Sequence, residues 1–213
     1  MDEESANDNG KEFNIITLGD PGVGKTSIIQ RFVCDEYNPD QISTIGITNS
    51  FRDLKINDKL IKLKLIDTGG QEKYRSLSLS YFKNADVVLF VFDLHIEKSF
   101  DSIQYWVNLF KDNNGGTNLK LKYLIGNKND LEQKVSKALI DELVKKNGLL
   151  YLSTSARTKS QIDEMFEYIA GELYEYTEKQ ENNKSGGKSQ KGKVLTKFKA
   201  KKKQNKNNHD CCL

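Results

Sequence analysis

The chain reads as an α/β protein: a three-layer sandwich whose six-stranded sheet is mostly parallel, with one antiparallel edge strand, and which carries five helices. Three observations predict this. Strand-type and helix-type apolar patterns alternate along most of the 213 residues. Val87-Val88-Leu89-Phe90-Val91-Phe92 is an unbroken apolar run of strand length, the pattern of a central strand covered on both faces. A glycine-rich octet, Gly19-Asp20-Pro21-Gly22-Val23-Gly24-Lys25-Thr26, sits where an apolar strand gives way to a helix.

The elements follow in order. Residues 13–18 form the first strand, and Ile28, Ile29 and Phe32 mark the helix that the octet opens. Residues 37–46 are a polar loop carrying Pro39. Residues 47–56 and 60–66 pair as an antiparallel hairpin about the turn formers Asn57-Asp58-Lys59. After the central strand, residues 99–112 place Phe100, Ile103, Val107 and Phe110 on one helical stripe, and Asn113-Asn114-Gly115-Gly116 ends it. Residues 121–126 are a strand, residues 136–146 a helix closed by Asn147-Gly148, and residues 149–153 the last strand. The final helix starts near Ser160, with Asp163 answering it as a capping box. Ile162, Met165, Phe166, Ile169 and Leu173 repeat along it at helical spacing.

Composition divides the chain into three. Residues 1–11 are polar and acidic, an N-terminal extension expected to be disordered. Residues 12–180 are long enough for one domain with a sizeable core. Residues 181–213 are rich in Lys, Asn, Ser, Gly and Gln and form a flexible tail. The net charge of +3 conceals an asymmetry, because residues 182–213 hold ten lysines and one acid while the remainder holds 23 bases and 29 acids. That tail has one aromatic, Phe198, so it offers no stacking platform and nucleic acid is not an expected partner. No signal peptide is visible, and six consecutive apolar residues fall far short of the roughly 20 that span a bilayer. Three cysteines, two adjacent, make no disulfide framework and suit a reducing cytosol, with Cys34 a small apolar helix residue.

The octet fits the phosphate-binding pattern G-x-x-x-x-G-K-[ST]. Its turn presents several backbone N–H groups because Gly22 and Gly24 can take dihedral angles other residues avoid. Lys25 adds a positive charge, the Thr26 hydroxyl can ligate Mg²⁺, and the helix aims the positive end of its dipole at the phosphates. Four more polar segments fall at the strand ends where open α/β sheets bind ligands. These are Thr44-Ile45-Gly46, Asp67-Thr68-Gly69-Gly70-Gln71-Glu72, Asn127-Lys128-Asn129-Asp130 and Ser155-Ala156-Arg157.

Together with the phosphate loop this set resembles the small GTPase family over about residues 12–177. The resemblance implies GTP or GDP with Mg²⁺ as the bound species, the octet and Ser27 around the phosphates, and Thr26, Thr44 and Asp67 as metal residues. It implies that Asp130 accepts from both N1–H and the exocyclic amine of guanine, where adenine would present an acceptor and leave the charge unpaired. Asn127 then ties the base to the phosphate loop, the Lys128 stem covers one base face, Tyr37 meets the base edge, and the Ser155-Ala156-Arg157 turn brings the Ala156 N–H to the guanine oxygen. Gly70 offers an N–H to the γ-phosphate, and Gln71 orients the attacking water, with Lys25 and Thr44 the other catalytic candidates. Thr44 and the second loop are held by the γ-phosphate and relax when it leaves. Hydrolysis is implied to be slow and to depend on an activating protein, Arg31, Arg52 and Arg75 being structural or solvated rather than a built-in arginine finger.

Within that family the ending Cys211-Cys212-Leu213 looks like the doubly geranylgeranylated termini of Rab proteins, and Asp210 stands where a C-a-a-X box needs cysteine. Two lipid chains anchor where one is marginal, and tail lysines add about 1 kcal/mol each near an anionic leaflet. Some 29 flexible residues reach about 30 Å. Ser43-Thr44-Ile45-Gly46, Lys73-Tyr74-Arg75-Ser76-Leu77 and Tyr81-Phe82-Lys83-Asn84-Ala85 are similarly Rab-like. Departures are Asn49 and Ile66 in place of an aromatic and a tryptophan, Gly69 for alanine and Arg157 for lysine. Met1-Asp2 lacks the glycine of myristoylated Arf proteins.

The implied protein is a monomeric switch in vesicle traffic, cycling between cytosol and an intracellular membrane. Its implied partners are effectors, an exchange factor, a GTPase-activating protein, Rab escort protein with geranylgeranyl transferase, and GDP-dissociation inhibitor. A nucleotide-locked scaffold and a Ras-like GTPase outside the Rab branch stay open. A P-loop ATPase or nucleotide kinase is disfavoured, since those folds lack the base-reading tetrad.

Overall fold

The computed structural model describes residues 11–69, 75–114 and 119–185. Its described residues hold the strands β1 (Lys11–Leu18), β2 (Ile47–Ile56), β3 (Lys59–Thr68), β4 (Val87–Asp93), β5 (Leu121–Asn127) and β6 (Leu150–Ser153). The helices are α1 (Lys25–Cys34), α2 (Arg75–Phe82), α3 (Glu97–Asp101), α4 (Ile103–Asn113), α5 (Lys137–Asn147) and α6 (Ile162–Ser185). The sheet order is β2-β3-β1-β4-β5-β6, with β2 antiparallel to β3 and every other pair parallel. This is the expected mostly parallel sheet with one antiparallel edge.

The central position of β1 and β4 follows from composition. All seven residues of β4 are buried, so this strand survives only with helices on both faces. On one face Ile16, Leu18, Val88, Phe90, Phe92 and Leu124 share a core with Phe82, Phe100, Ile103, Phe110 and Ile140 of α2 to α5. Phe110 anchors that core, with ring centroids 5.0 Å from Phe82 and 6.1 Å from Phe90. Helix α1, which buries Ile28, Ile29 and Phe32, packs beside β2 and β3.

Local chemistry sets the boundaries. Asn57 and Asp58 both take left-handed dihedrals (φ 48 and 64), the two-residue turn that matches strand twist, and the ladder closes at Ile56 opposite Lys59. Ser136 caps α5 by accepting from the Leu139 N–H, and Gly148 ends it in the left-handed region, as the sequence predicts.

Three expectations are corrected. The helix predicted over 99–112 starts at Glu97 and is broken at Ser102, whose hydroxyl donates back to the Lys98 carbonyl, so this one of the five expected helices is described as two consecutive segments, α3 and α4. The capping box at Ser160 gives way to left-handed Lys159 and Gln161, and Asp163 pairs with Lys159 at 3.2 Å. Helix α6 runs to Ser185, five residues past residue 180, and carries an ion pair between Glu175 and Lys179 just before that point. The chain divides into two units after Asp163. The second, taken by itself, is described as the part of α6 from Glu164 to Ser185.

Asp86 secures the strand starts at the end opposite the polar segments. Its carboxylate accepts the Asn14 N–H (2.8 Å) and pairs with the Lys120 ammonium, while its carbonyl accepts from the Lys120 N–H. Asp86→Ala leaves the Asn14 backbone donor unpaired and removes the carboxylate that the Lys120 ammonium pairs with. It should lower the unfolding free energy by about 3 kcal/mol in a denaturant titration.

Candidate functional site

The phosphate loop lies between the end of β1 and the start of α1, and two close approaches shape it. A Cβ on Gly19 (φ 149) would stand 2.2 Å from the Val91 carbonyl oxygen of β4. One on Gly24 (φ 96) would stand 2.2 Å from the Asn127 side-chain nitrogen. Only glycine fits either place. Gly24 also occupies the N-cap of α1 with no side-chain cap, so the first amides of the helix have no side-chain partner at the cap.

Lys25 folds back along the loop, its ammonium donating to the carbonyls of Gly19 and Asp20, each at 2.9 Å. Burial pushes its pKa down to about 8, while Asp67 and Asp20 pull it up. Among the described residues the buried ammonium therefore meets two neutral oxygens and no ion-pair partner at contact distance, an environment that a polyanion would relieve.

Thr26, Thr44 and Asp67 converge from α1, from the loop before β2 and from the end of β3. The Thr26 and Thr44 hydroxyls are 2.6 Å apart, Thr26 donates to the Asp67 Oδ2 at 2.7 Å, and Thr44 does so at 3.4 Å. Asp67 is 2% exposed, and its Oδ1 is a buried acceptor with no hydrogen-bond partner. Burial raises its pKa, with Thr26 and Lys25 opposing. A buried carboxylate with an idle oxygen beside two hydroxyls suits a hard, oxygen-seeking cation that keeps several waters, which is the preference of Mg²⁺. Among the described residues no group of three or more His, Cys, Asp or Glu offers another metal site.

At the other end, Asn127 is buried and joins three segments. Its amide donates to the Val23 carbonyl (2.8 Å), and its Oδ1 accepts from the Thr154 hydroxyl (3.3 Å) and from the Ala156 N–H (3.4 Å). Ser155 donates to the Asp130 Oδ1 at 2.5 Å, while the Arg157 guanidinium stands 4.0 Å from Oδ2. Lys128 takes a left-handed dihedral (φ 63), and its ammonium reaches back 2.7 Å to the buried Asp93. The Tyr37 ring lies 5.8 Å from the Arg31 guanidinium.

One cleft of about 300 Å³ gathers the sequence candidates. Pro21, Gly22, Gly24, Lys25, Thr26, Ser27, Tyr37, Thr44, Asn127, Lys128, Asp130, Ala156 and Arg157 all line it. Gly19, Val23, Asp67 and Ser155 stand behind as buried supports. Gly70 and Gln71 lie outside the described residues. Sequence reasoning missed Trp106, whose indole donates to the Asp20 carboxylate at 2.8 Å, and Asp93, which holds Lys128. The lone tryptophan on the stripe of α4 carried a faint signal, since a buried indole N–H needs an acceptor. Asp93 carried one too, as an acid ending an apolar strand.

A strand, glycine loop and helix with a buried lysine, on a sheet of this order, define the P-loop class of nucleotide-binding folds. The Ras family sequence profile matches residues 14–175. Ras-related protein Rab-13 of Mesocricetus auratus is 39% identical over 76% of this chain and 79% of its own length. Ras-related protein Rab-8B of Homo sapiens is 35% identical over 76% and 78%, and Ras-related protein SEC4 of Saccharomyces cerevisiae 37% over 76% and 77%. The chain belongs to the Ras family as a divergent member of its Rab branch, and is a GTPase.

Proposed function

We propose that this chain is a membrane-anchored switch of vesicle traffic that binds GTP and GDP with Mg²⁺ and hydrolyses GTP slowly. The observation that carries this reading is the pair of buried, desolvated groups, Lys25 and Asp67, at one end of a cleft whose other end holds the Asp130 carboxylate. Lys25 matches phosphate oxygens, and Thr26, Thr44 and Asp67 would hold the cation, which when bound neutralises charge on the β- and γ-phosphates. Asp130, oriented by Ser155, accepts two donors of guanine. In the reaction a water oxygen bonds to the γ-phosphorus, the bond to the β–γ bridging oxygen breaks, and the proton leaves on the phosphate. Gln71 orients that water, and Lys25 balances the charge that develops as GDP departs. The G domain is read as residues 12–180, with effectors and regulators engaging the loops that carry Thr44 and Gln71.

Specificity is tested with nucleotide-stripped protein. It should bind GDP far better than ADP, and Asp130→Asn should weaken GDP binding by about 100-fold or more, because one charged acceptor of two donors is lost. Equal binding of the adenine nucleotide would end the reading.

The second reading, a scaffold that holds GTP with little turnover, rests on the Pro21 ring lining the cleft at its phosphate end. Single-turnover hydrolysis decides between them. The switch requires Gln71→Leu to slow the step by roughly 10-fold or more, on the scale of one positioned catalytic group, whereas equal rates favour the scaffold.

No described helix is long and apolar enough to cross a membrane, so attachment is assigned to lipid on Cys211 and Cys212 with help from the tail lysines. In fractionated cells, serine at both positions should move the protein from the membrane pellet to the soluble fraction. An unchanged distribution would exclude that anchor.

A further inference from the structure

The chain leaves α1 through Asp35, a non-glycine residue in the left-handed region (φ 58). Such a conformation persists where its surroundings tie it down. Arg31 does so twice, donating from Nη1 to the Asp35 carbonyl (2.8 Å) and to its Oδ1 (3.2 Å). The same guanidinium turns its other edge to the base end of the cleft. Nε donates to the Ala156 carbonyl at 2.9 Å and Nη2 to the Arg157 carbonyl at 3.4 Å. Its side chain is only 16% exposed. A planar fork of fixed donors holds both segments at once in a set geometry, which a rotatable ammonium does not fix.

A second cation closes the arrangement. Lys159, also left-handed (φ 63), brings its ammonium 2.9 Å from the Asp35 Oδ1 and 3.2 Å from the Asp163 carboxylate. Lys159, with Arg31 next, holds the Asp35 carboxyl below the usual carboxylate range. Two residues beyond Asp35 stands Tyr37, and three before Lys159 stands Ala156, both lining the cleft. The exit of α1 and the loop that reads the base thus share one carboxylate.

We propose that Arg31 and Lys159 are positioning residues that clasp the Ala156–Lys159 loop to the exit of α1 through Asp35, so that the clasp gates nucleotide release. The proposal rests on the guanine-nucleotide reading above. A nucleotide seated between Tyr37 and Ala156 leaves when either side swings away, and each swing breaks contacts to Asp35. The clasp touches no phosphate residue, so it bears on release and not on the chemical step. Its outer half is solvent-exposed and therefore screened by salt.

The experiment uses the full chain loaded with fluorescent GDP or GTP. Lys159→Met and Asp35→Asn should each speed release of both nucleotides about 3- to 10-fold and leave single-turnover GTP hydrolysis at the wild-type rate. The double variant should release no faster than the quicker single one, since both remove the same link. Raising NaCl from 50 to 500 mM should accelerate release from the wild type more than from the double variant. Wild-type release from both single variants, fully additive effects, or an equal salt response would overturn the clasp. Failure of the chain to bind guanine nucleotide would instead overturn the reading beneath it. Arg31→Met should release faster than either variant. Should that protein not fold, Arg31→Lys, which keeps the charge but loses the fork, replaces it and must still release faster than wild type.

Discussion

The buried amide of Asn127 is the contact on which the site depends. It fixes the separation between the loop after β1 and the loop after β6, because one side chain bonds to Val23 in the first and to Thr154 and Ala156 in the second. Its approach is possible only because position 24 has no Cβ. The glycine in the phosphate loop is therefore as much a requirement of the base end as of the phosphate end. The parallel register of β1, β4, β5 and β6 carries the two loops to the same sheet edge and does the coarse alignment. The amide supplies the last ångström.

Around that fixed distance the fold holds charge in an unfavourable state. Lys25 is buried and pulled down to about 8, and Asp67 is buried and pushed up, with one oxygen idle. Neither would be retained for stability, since burying ions costs several kcal/mol each unless they are well paired. Perturbed groups concentrated in a cleft are what a binding site needs when its ligand supplies the opposite charges. Asp86 and Lys120 show the contrast at the other end of the sheet, where a half-buried pair is matched and serves the fold alone.

Much of this was legible in the sequence, for reasons that differ by residue. The octet, the Asn127-to-Asp130 tetrad and Ser155-Ala156-Arg157 stood out as short polar patterns at strand ends, and the structure gathers residues of all three at one cleft. The hairpin was readable because Asn57 and Asp58 tolerate left-handed dihedrals. Trp106 and Asp93 were not, because each acts through one bond across 86 or 35 positions, which no local pattern encodes. The same holds for Arg31, rightly expected to be structural, whose partners at 156 and 157 appear only once the loops meet. The capping box at Ser160 failed because Lys159 and Gln161 adopt left-handed dihedrals that composition alone does not foretell.

The β2–β3 ladder adds a mechanical consequence. Thr44 lies three residues before Ile47, which pairs with Thr68, and the Gly69 N–H donates to the Gly46 carbonyl at 2.9 Å. The loop carrying Thr44 and the segment following Asp67 thus leave the sheet from the same rung. Thr44 already stands in contact with Thr26 and Asp67, so whatever holds or releases it acts on the end of β2, one hydrogen bond away from Gly69. The nine rungs that follow are paired without interruption, so this coupling sits at the open end of the hairpin. Two loops fixed at one rung, one of them tied to a buried carboxylate, are mechanically coupled where they leave the sheet.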